Sequence, residues 1–148
     1  MHTRISLLLI IAASITSAQT PKIFAQKLVE ETQAAHPEIT GLELAATPPG
    51  KGCQTIAATE AKAIGEACDK DELKARKWNR PRVEQENDGF DVTVPVHDSA
   101  GRIIATAGMD FKMQPGRTKK TVIPEALKVR DDLEKRLSLE AELFRPAQ

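Results

Sequence analysis

The sequence contains no tyrosine, and its aromatic residues are four phenylalanines and one tryptophan. Such a chain has little material for a base-stacking platform for single-stranded nucleic acid or an aromatic floor for a sugar. Net charge is also lacking, with 21 basic residues against 21 acidic ones. A chain without excess charge carries no electrostatic footprint for nucleic acid or an acidic membrane surface. Histidine is scarce, at three residues. Gly-x-Ser-x-Gly, His-Glu-x-x-His and Gly-rich phosphate loops do not occur, so neither a nucleophile with its base nor a metal cluster assembles. The sequence therefore predicts no catalytic residue, no metal ligand, no cofactor and no enzyme activity.

The one long apolar run is at the start. Met1 to Arg4 form a short charged stub, Ile5 to Ile15 an apolar stretch, and Thr16-Ser17-Ala18 a small-residue end. This is the pattern of a secretory signal peptide spanning residues 1–18, cleaved after Ala18. A membrane anchor needs about 20 apolar residues, and this run is shorter. The expectation is an exported, periplasmic or secreted, soluble protein of residues 19–148, long enough for one domain with its own core. No later segment is apolar enough to span a bilayer.

Export decides how the two cysteines are read. In an oxidising compartment Cys53 and Cys68 are expected to form a disulfide. The loop they close has about 15 residues, which the loop-entropy model values at roughly 3 kcal/mol. No Cys or His sits nearby at metal-ligand spacing.

Hydrophobic periodicity gives the order of elements. Thr20-Pro21 can open a helix in which Phe24, Leu28 and Ala35 share a face flanked by Ile23 and Val29, ended by His36-Pro37. Leu42, Leu44 and Ala46 alternate on a strand, and Pro48-Pro49-Gly50-Lys51-Gly52 turns the chain into a second strand from Cys53 to Thr59. A loop from Glu60 leads to Asp69, which with Glu72 forms a capping box for a short helix over 69–77. Pro81 to Glu86 reads as a third strand, and Asn87-Asp88-Gly89 as a hairpin turn. Two longer strands follow. Phe90, Val92, Val94 and Val96 share a face of the first; Ile103, Ala105, Ala107, Met109 and Phe111 share a face of the second. Asp98-Ser99-Ala100-Gly101 turns between them. A C-terminal helix at about 121–144 carries Ala126, Val129, Leu133, Leu137 and Phe144 as its stripe. The expected fold class is α+β, a five-stranded antiparallel sheet with a long helix at each end.

The central wording adds a resemblance. Val94-Pro95-Val96-His97-Asp98-Ser99-Ala100-Gly101-Arg102-Ile103-Ile104-Ala105, continued by Ala107-Gly108-Met109-Asp110-Phe111, resembles the corresponding run of Cache-type extracellular sensor domains, the exported relatives of PAS domains. The helix ending at His36-Pro37-Glu38 and the Leu42-Glu43-Leu44 strand resemble that family's opening. The likeness covers roughly residues 21–113 and implies a PAS-like sheet that holds a small polar ligand of amino acid, amine or carboxylate type.

Asp110 is the first candidate contact. It lies on the opposite face of its strand from Met109 and Phe111, alongside Thr106 and Gly108, where a carboxylate must meet water, a partner or a ligand. In amino-acid-binding members of the resembled family the matching aspartate contacts the ligand's ammonium. Arg76 and Trp78 resemble that family's Arg-x-Trp contacts, a guanidinium for a carboxylate and an indole wall; Asn79 stands where a Tyr usually follows. Arg80 and Arg82 are weaker candidates of the same kind. His97 beside Asp98 reads as a solvated turn neighbour, and His36 as a helix terminator.

These readings predict an exported small-molecule-binding, sensor-type domain without a transmembrane or output module of its own, which either signals through a separate membrane partner or simply binds and buffers its ligand. The alternative is an exported protein–protein interaction module that uses its sheet face or C-terminal helix and takes no small ligand.

Overall fold

The computed structural model describes residues 21–148; the expected signal peptide lies outside them. The order of elements is helix α1 (Phe24–Ala35), strands β1 (Gly41–Ala46) and β2 (Gln54–Ala58), helix α2 (Lys70–Trp78), strands β3 (Arg82–Gln85), β4 (Gly89–His97) and β5 (Ile103–Lys112), and helix α3 (Lys119–Glu134). The five strands form one antiparallel sheet in the order β2-β1-β5-β4-β3. This is the expected α+β, PAS-like architecture. Among the described residues no helix is long and apolar enough to cross a membrane.

The two faces of the sheet differ in chemistry, and period two makes them so. Leu42 and Leu44 of β1, Phe90, Val92, Val94 and Val96 of β4, and Ala105, Ala107, Met109 and Phe111 of β5 are buried in one core with Leu28 and Val29 of α1 and Val129 and Leu133 of α3. Each of the larger side chains, Val, Leu, Met or Phe, contributes about 1.5–3 kcal/mol on leaving water, and the alanines less. The opposite face carries Glu43, Asp91, Thr93, Thr106, Gly108 and Asp110, and α2 covers part of it.

A bulge corrects one expectation. Val96 pairs with Ala105 but His97 pairs with Ile103, so Ile104 is the extra residue. The slip turns Ile103 off the apolar face, and buried Ile104 enters the core in its place. The neighbouring turn is as expected: Asp98 Oδ1 accepts from Ala100 N and Arg102 N, each at 2.9 Å, and Gly101 supplies φ 78°.

Both terminal helices depart from the sequence reading. α1 begins at Phe24, not at Thr20-Pro21, because Ile23 bridges to Pro146 and Phe24 N donates to Arg145 O at 2.7 Å, holding the chain extended up to that point. Ala35 is exposed, and Thr32 takes the inward place. α3 starts earlier, with Thr118 capping Thr121 N, so Lys119 and Lys120 form its first turn and not a linker.

It also stops at Glu134, not near residue 144. Leu137 folds inward, and Glu142 accepts from Ser138 N at 2.7 Å and Leu139 N at 3.2 Å, opening a separate 3-10 turn at Glu140–Phe144. Leu143, buried, takes the core place the stripe gave to Phe144, which is half-buried. The apolar stripe of this C-terminal segment is therefore spent on the chain's own core.

Cys53 and Cys68 form the expected disulfide. The segment between them folds back on β2, an edge strand, through Thr55 N to Glu66 O at 2.9 Å and Gly65 N to Thr55 O at 2.8 Å. Edge groups that would otherwise invite another chain are thus satisfied.

Candidate functional site

A cavity of about 190 Å³ opens on the polar face where β1, β5 and β4 lie side by side. Its base is the backbone of Gly41 and Gly108; Glu43, Asp91 and Asp110 rise from it; Glu60 and Ala63 of the disulfide-pinned segment form one wall. The register explains the grouping. Asp110 is opposite Asp91 on β4 and opposite Gly41 on β1, and Glu43 is opposite Gly108.

The glycines are what let these carboxylates lie across the sheet. A Cβ at Gly41 would overlap Asp110 Oδ2, and one at Gly108 would come within 2.9 Å of Glu43 Cγ and Oε1. Beside this group, α2 presses Glu72 toward the sheet through its capping box: Asp69 N donates to Glu72 Oε2 at 2.7 Å, and Glu72 N to Asp69 Oδ1 at 2.8 Å. Glu72 is only 6% exposed and its Oε1 has no hydrogen-bond partner; neither has Thr106 Oγ1, fully buried on the same sheet face.

No Lys or Arg among the described residues forms an ion pair with Glu43, Asp91, Asp110 or Glu72. Their titration reflects that. Burial, then the charges of Glu72, Asp91 and Asp110, push the Glu43 carboxyl up to about 7. Burial and the facing Asp110 push Asp91 up to about 7. Asp110, at the mouth, is raised by desolvation, Glu60 and Asp88, and Glu72 by burial, partly offset by the hydrogen bond from Asp69 N and, less, by Arg76. Carboxylates held this way favour a cation that can share them. Among the described residues no three His, Cys, Asp or Glu side chains stand close enough to hold a metal ion.

The sequence candidates are divided by the fold. Asp110 lines the cavity. Thr106 lies deeper on the same face, beneath α2. Arg76 points elsewhere, its Nη1 3.3 Å from Cys53 Sγ and 3.4 Å from Thr47 Oγ1. Trp78 is 49% exposed and stacks under the Arg82 guanidinium at 5.7 Å; with Arg80 and Pro81 they line an open furrow separate from the cavity. Glu43 and Asp91 were missed. Both alternate with core residues, Leu42 and Leu44 around one and Phe90 and Val92 around the other, and only the strand pairing reveals that they meet Asp110.

The histidines are more tied down than their sequence contexts indicate. His97 Nδ1 lies 2.7 Å from Glu134 Oε1 and its Nε2 2.7 Å from Oδ1 of Asn79, the left-handed C-cap of α2, so it joins α2 to the end of α3. His36 does cap α1, but it is also buried, with Glu38 at 2.8 Å and Asp132 at 2.7 Å.

No family model matches the chain, and no curated protein matches it. Solved structures do. The inducer-binding domain of the transcription factor PobR from Acinetobacter, determined as a double mutant with 3-hydroxybenzoic acid, is 11% identical, with 80% of this chain and 97% of that one covered at a TM-score of 0.50. The C-terminal domain of the E. coli transcriptional regulator KdgR is 13% identical over 78% of this chain and 96% of that one, TM-score 0.47. Type II free methionine-R-sulfoxide reductase from Thermoplasma acidophilum is 17% identical over 81% and 92%, TM-score 0.47. At such identities the likeness is one of fold.

Proposed function

We propose that this chain is an exported, sensor-type small-molecule-binding domain of Cache-like design, taking a small ligand with an ammonium group into the cavity at Glu43, Asp91 and Asp110. The observation that carries this reading is the set of carboxylates gathered on one sheet face, with which no Lys or Arg among the described residues forms an ion pair. Like charges opposite one another on neighbouring strands are destabilising, and an ammonium between them removes that cost. The inducer-binding PobR domain supports the fold's suitability for a small ligand. An amine or amino acid fits better than a simple carboxylate, since Arg76 and Arg80 lie outside the cavity. The leader-like residues 1–18 and the disulfide support export.

The test is a thermal-shift screen of the purified, oxidised protein in phosphate buffer against amines, amino acids, small carboxylates and purines. A ligand at a hundredfold excess over Kd adds about 2.7 kcal/mol. Shifts confined to ammonium compounds and lost in Asp110→Ala support the proposal. Shifts from carboxylates alone, or from nothing in the screen, refute it and favour a surface that docks on another protein.

A further inference from the structure

The sheet has two edges, and they are finished differently. At β2 the disulfide-pinned segment takes up outward backbone groups through Thr55 and Gly65. At the other end of the strand order stands β3, with no strand beyond it. Glu86 N donates to Gly89 O at 2.9 Å, so the backbone groups of Glu86 face β4. Backbone groups alternate from side to side along a strand; Glu84 and Arg82 therefore also bond to β4, while Val83 and Gln85 turn their N–H and C=O groups outward. Glu84, Gln85 and Glu86 are exposed, and Pro81 and Val83 half-buried. Such a row of outward groups is a template for another strand.

The side chains say which strand. Arg80, Arg82, Glu84 and Glu86 alternate with Pro81, Val83 and Gln85, basic in the first half and acidic in the second. Arg82 and Glu84 are level with Thr93 and Asp91 and share the polar face; Val83, level with Val92, packs against the core. Among the described residues Arg80, Glu84 and Glu86 form no ion pair, and Arg82 reaches Asp71 through Nε, at 3.4 Å. Turned about a two-fold axis at Val83, the segment is its own complement. Arg82 falls opposite the second copy's Glu84, and Arg80 opposite its Glu86, each pair occurring twice. An axis at Arg82 or at Glu84 would set that residue against its own copy. An axis at Pro81 would set Arg80 against Arg82, and one at Gln85 would set Glu84 against Glu86. Charge along an edge strand commonly keeps other chains away; here its order by sign admits one partner in one register.

We infer that the β3 edge is a homodimer interface, on which a second copy of this chain lays its own β3 antiparallel about a two-fold axis at Val83. The two sheets then continue as one. Val83 N–H and C=O bond those of the second copy's Val83, and each Gln85 N–H donates to the other copy's Pro81 C=O. Pro81, without an N–H, stands just before the strand, where it costs the ladder little. Trp78, exposed beside Arg82, gives this edge an apolar flank. No residue of β3 lines the cavity at Glu43, so association and ligand binding are separate properties.

Sedimentation equilibrium of the full chain, disulfide intact, at pH 7.5 in 0.15 M salt and from about 2 to about 200 µM reads the association. The expected result is a reversible monomer–dimer equilibrium in the micromolar range, the strength of a short interface. Glu84→Arg sets Arg against Arg, and Arg82→Glu sets Glu against Glu. Each variant, with a melting curve to show that it folds, should dimerise at least tenfold more weakly than wild type. An equimolar mixture of the two should recover the dimer, because one strand is then basic where the other is acidic. Gln85→Pro, which removes an outward N–H and leaves the ladder to β4 intact, should also weaken the dimer tenfold. A wild-type chain that stays monomeric at the highest concentration overturns the inference. So does a dimer that Glu84→Arg and Gln85→Pro leave unchanged, or a mixture of folded charge variants that stays monomeric.

Discussion

Asp91 on β4 and Asp110 on β5 face each other directly across the sheet, in the middle of a register that runs unbroken from Gly89–Lys112 to Val96–Ala105. Two facing carboxylates cannot both ionise without cost. Glu43, one strand beyond Asp110, adds a third. The fold carries this repulsion at one place on its surface, and that place is a cavity.

Stability should therefore depend on pH in a specific direction. Glu43 and Asp91 titrate near 7 in the folded chain, against 4.5 and 3.8 without the fold. The folded state holds protons that the unfolded state has released, so their contribution is complete below about pH 4 and is lost as pH rises toward 7. Asp98, Asp132 and Glu38 act oppositely: hydrogen bonds hold them below their ordinary values, and their contribution is lost as pH falls through those lowered pKa values. The ligand-free Tm should peak in mild acid and decline toward pH 7.5. Glu43→Gln with Asp91→Asn should flatten the decline and raise Tm at pH 7.5, as read by circular dichroism.

Gly41→Ala and Gly108→Ala should separate binding from folding. At Gly41 the new methyl group meets the carboxylate end of Asp110, which can rotate away, so stability should change by no more than about 1 kcal/mol; at Gly108 it meets Glu43 Cγ as well as Oε1, so the whole Glu43 side chain must move aside. The displaced carboxylates no longer converge, and affinity for the ammonium ligand should fall by about tenfold, or 1.4 kcal/mol.

Reducing the Cys53–Cys68 disulfide should cost roughly 3 kcal/mol by loop entropy. Because that segment supplies Glu60 and Ala63 to the cavity wall, ligand affinity should weaken as well. The Cys53→Ala/Cys68→Ala protein, melted with and without ligand, reports both.

Leu133→Ala, at a fully buried site of α3, should lose 2–5 kcal/mol in urea unfolding, a range typical of such truncations. Leu139→Ala, 53% exposed after the helix has ended, should stay within about 0.5 kcal/mol. Equal losses would mean that the helix continues past Glu134.

Arg76→Ala and Trp78→Ala should leave ammonium binding within about twofold of wild type, since neither lines the cavity. A tenfold loss in either would place the ligand against α2.

How much of this could be read in the sequence follows from the range of the interactions. Asp69 with Glu72, Asn87-Asp88-Gly89 and Asp98 with Gly101 are local devices, completed within a few residues, and each forms its expected cap or turn. The alternation in β4 and β5 fixed the apolar face up to the bulge, where one extra residue exchanged Ile103 for Ile104. The ends of α1 and α3 were not legible because residues far away set them: Pro146 and Arg145 hold Ile23 and Phe24, and Glu142 caps a separate turn. The same holds at the site. Asp110 stood out alone as a strand carboxylate, but its meeting with Asp91 and Glu43 is a product of strand order, and Arg76 and Trp78, adjacent in a motif, point away from it.

The most direct measurement is calorimetric titration of an ammonium ligand from the screen into wild type and into Asp91→Asn/Asp110→Asn, at pH 5.5 and pH 7.5. Wild type should bind more tightly at pH 7.5, where the carboxylates are ionised, with proton release that varies with the buffer's ionisation enthalpy; the double variant should lose at least tenfold in affinity while still melting cooperatively. Undiminished binding by the double variant, or affinity that does not change between the two pH values, would contradict a carboxylate-lined ammonium site on this sheet.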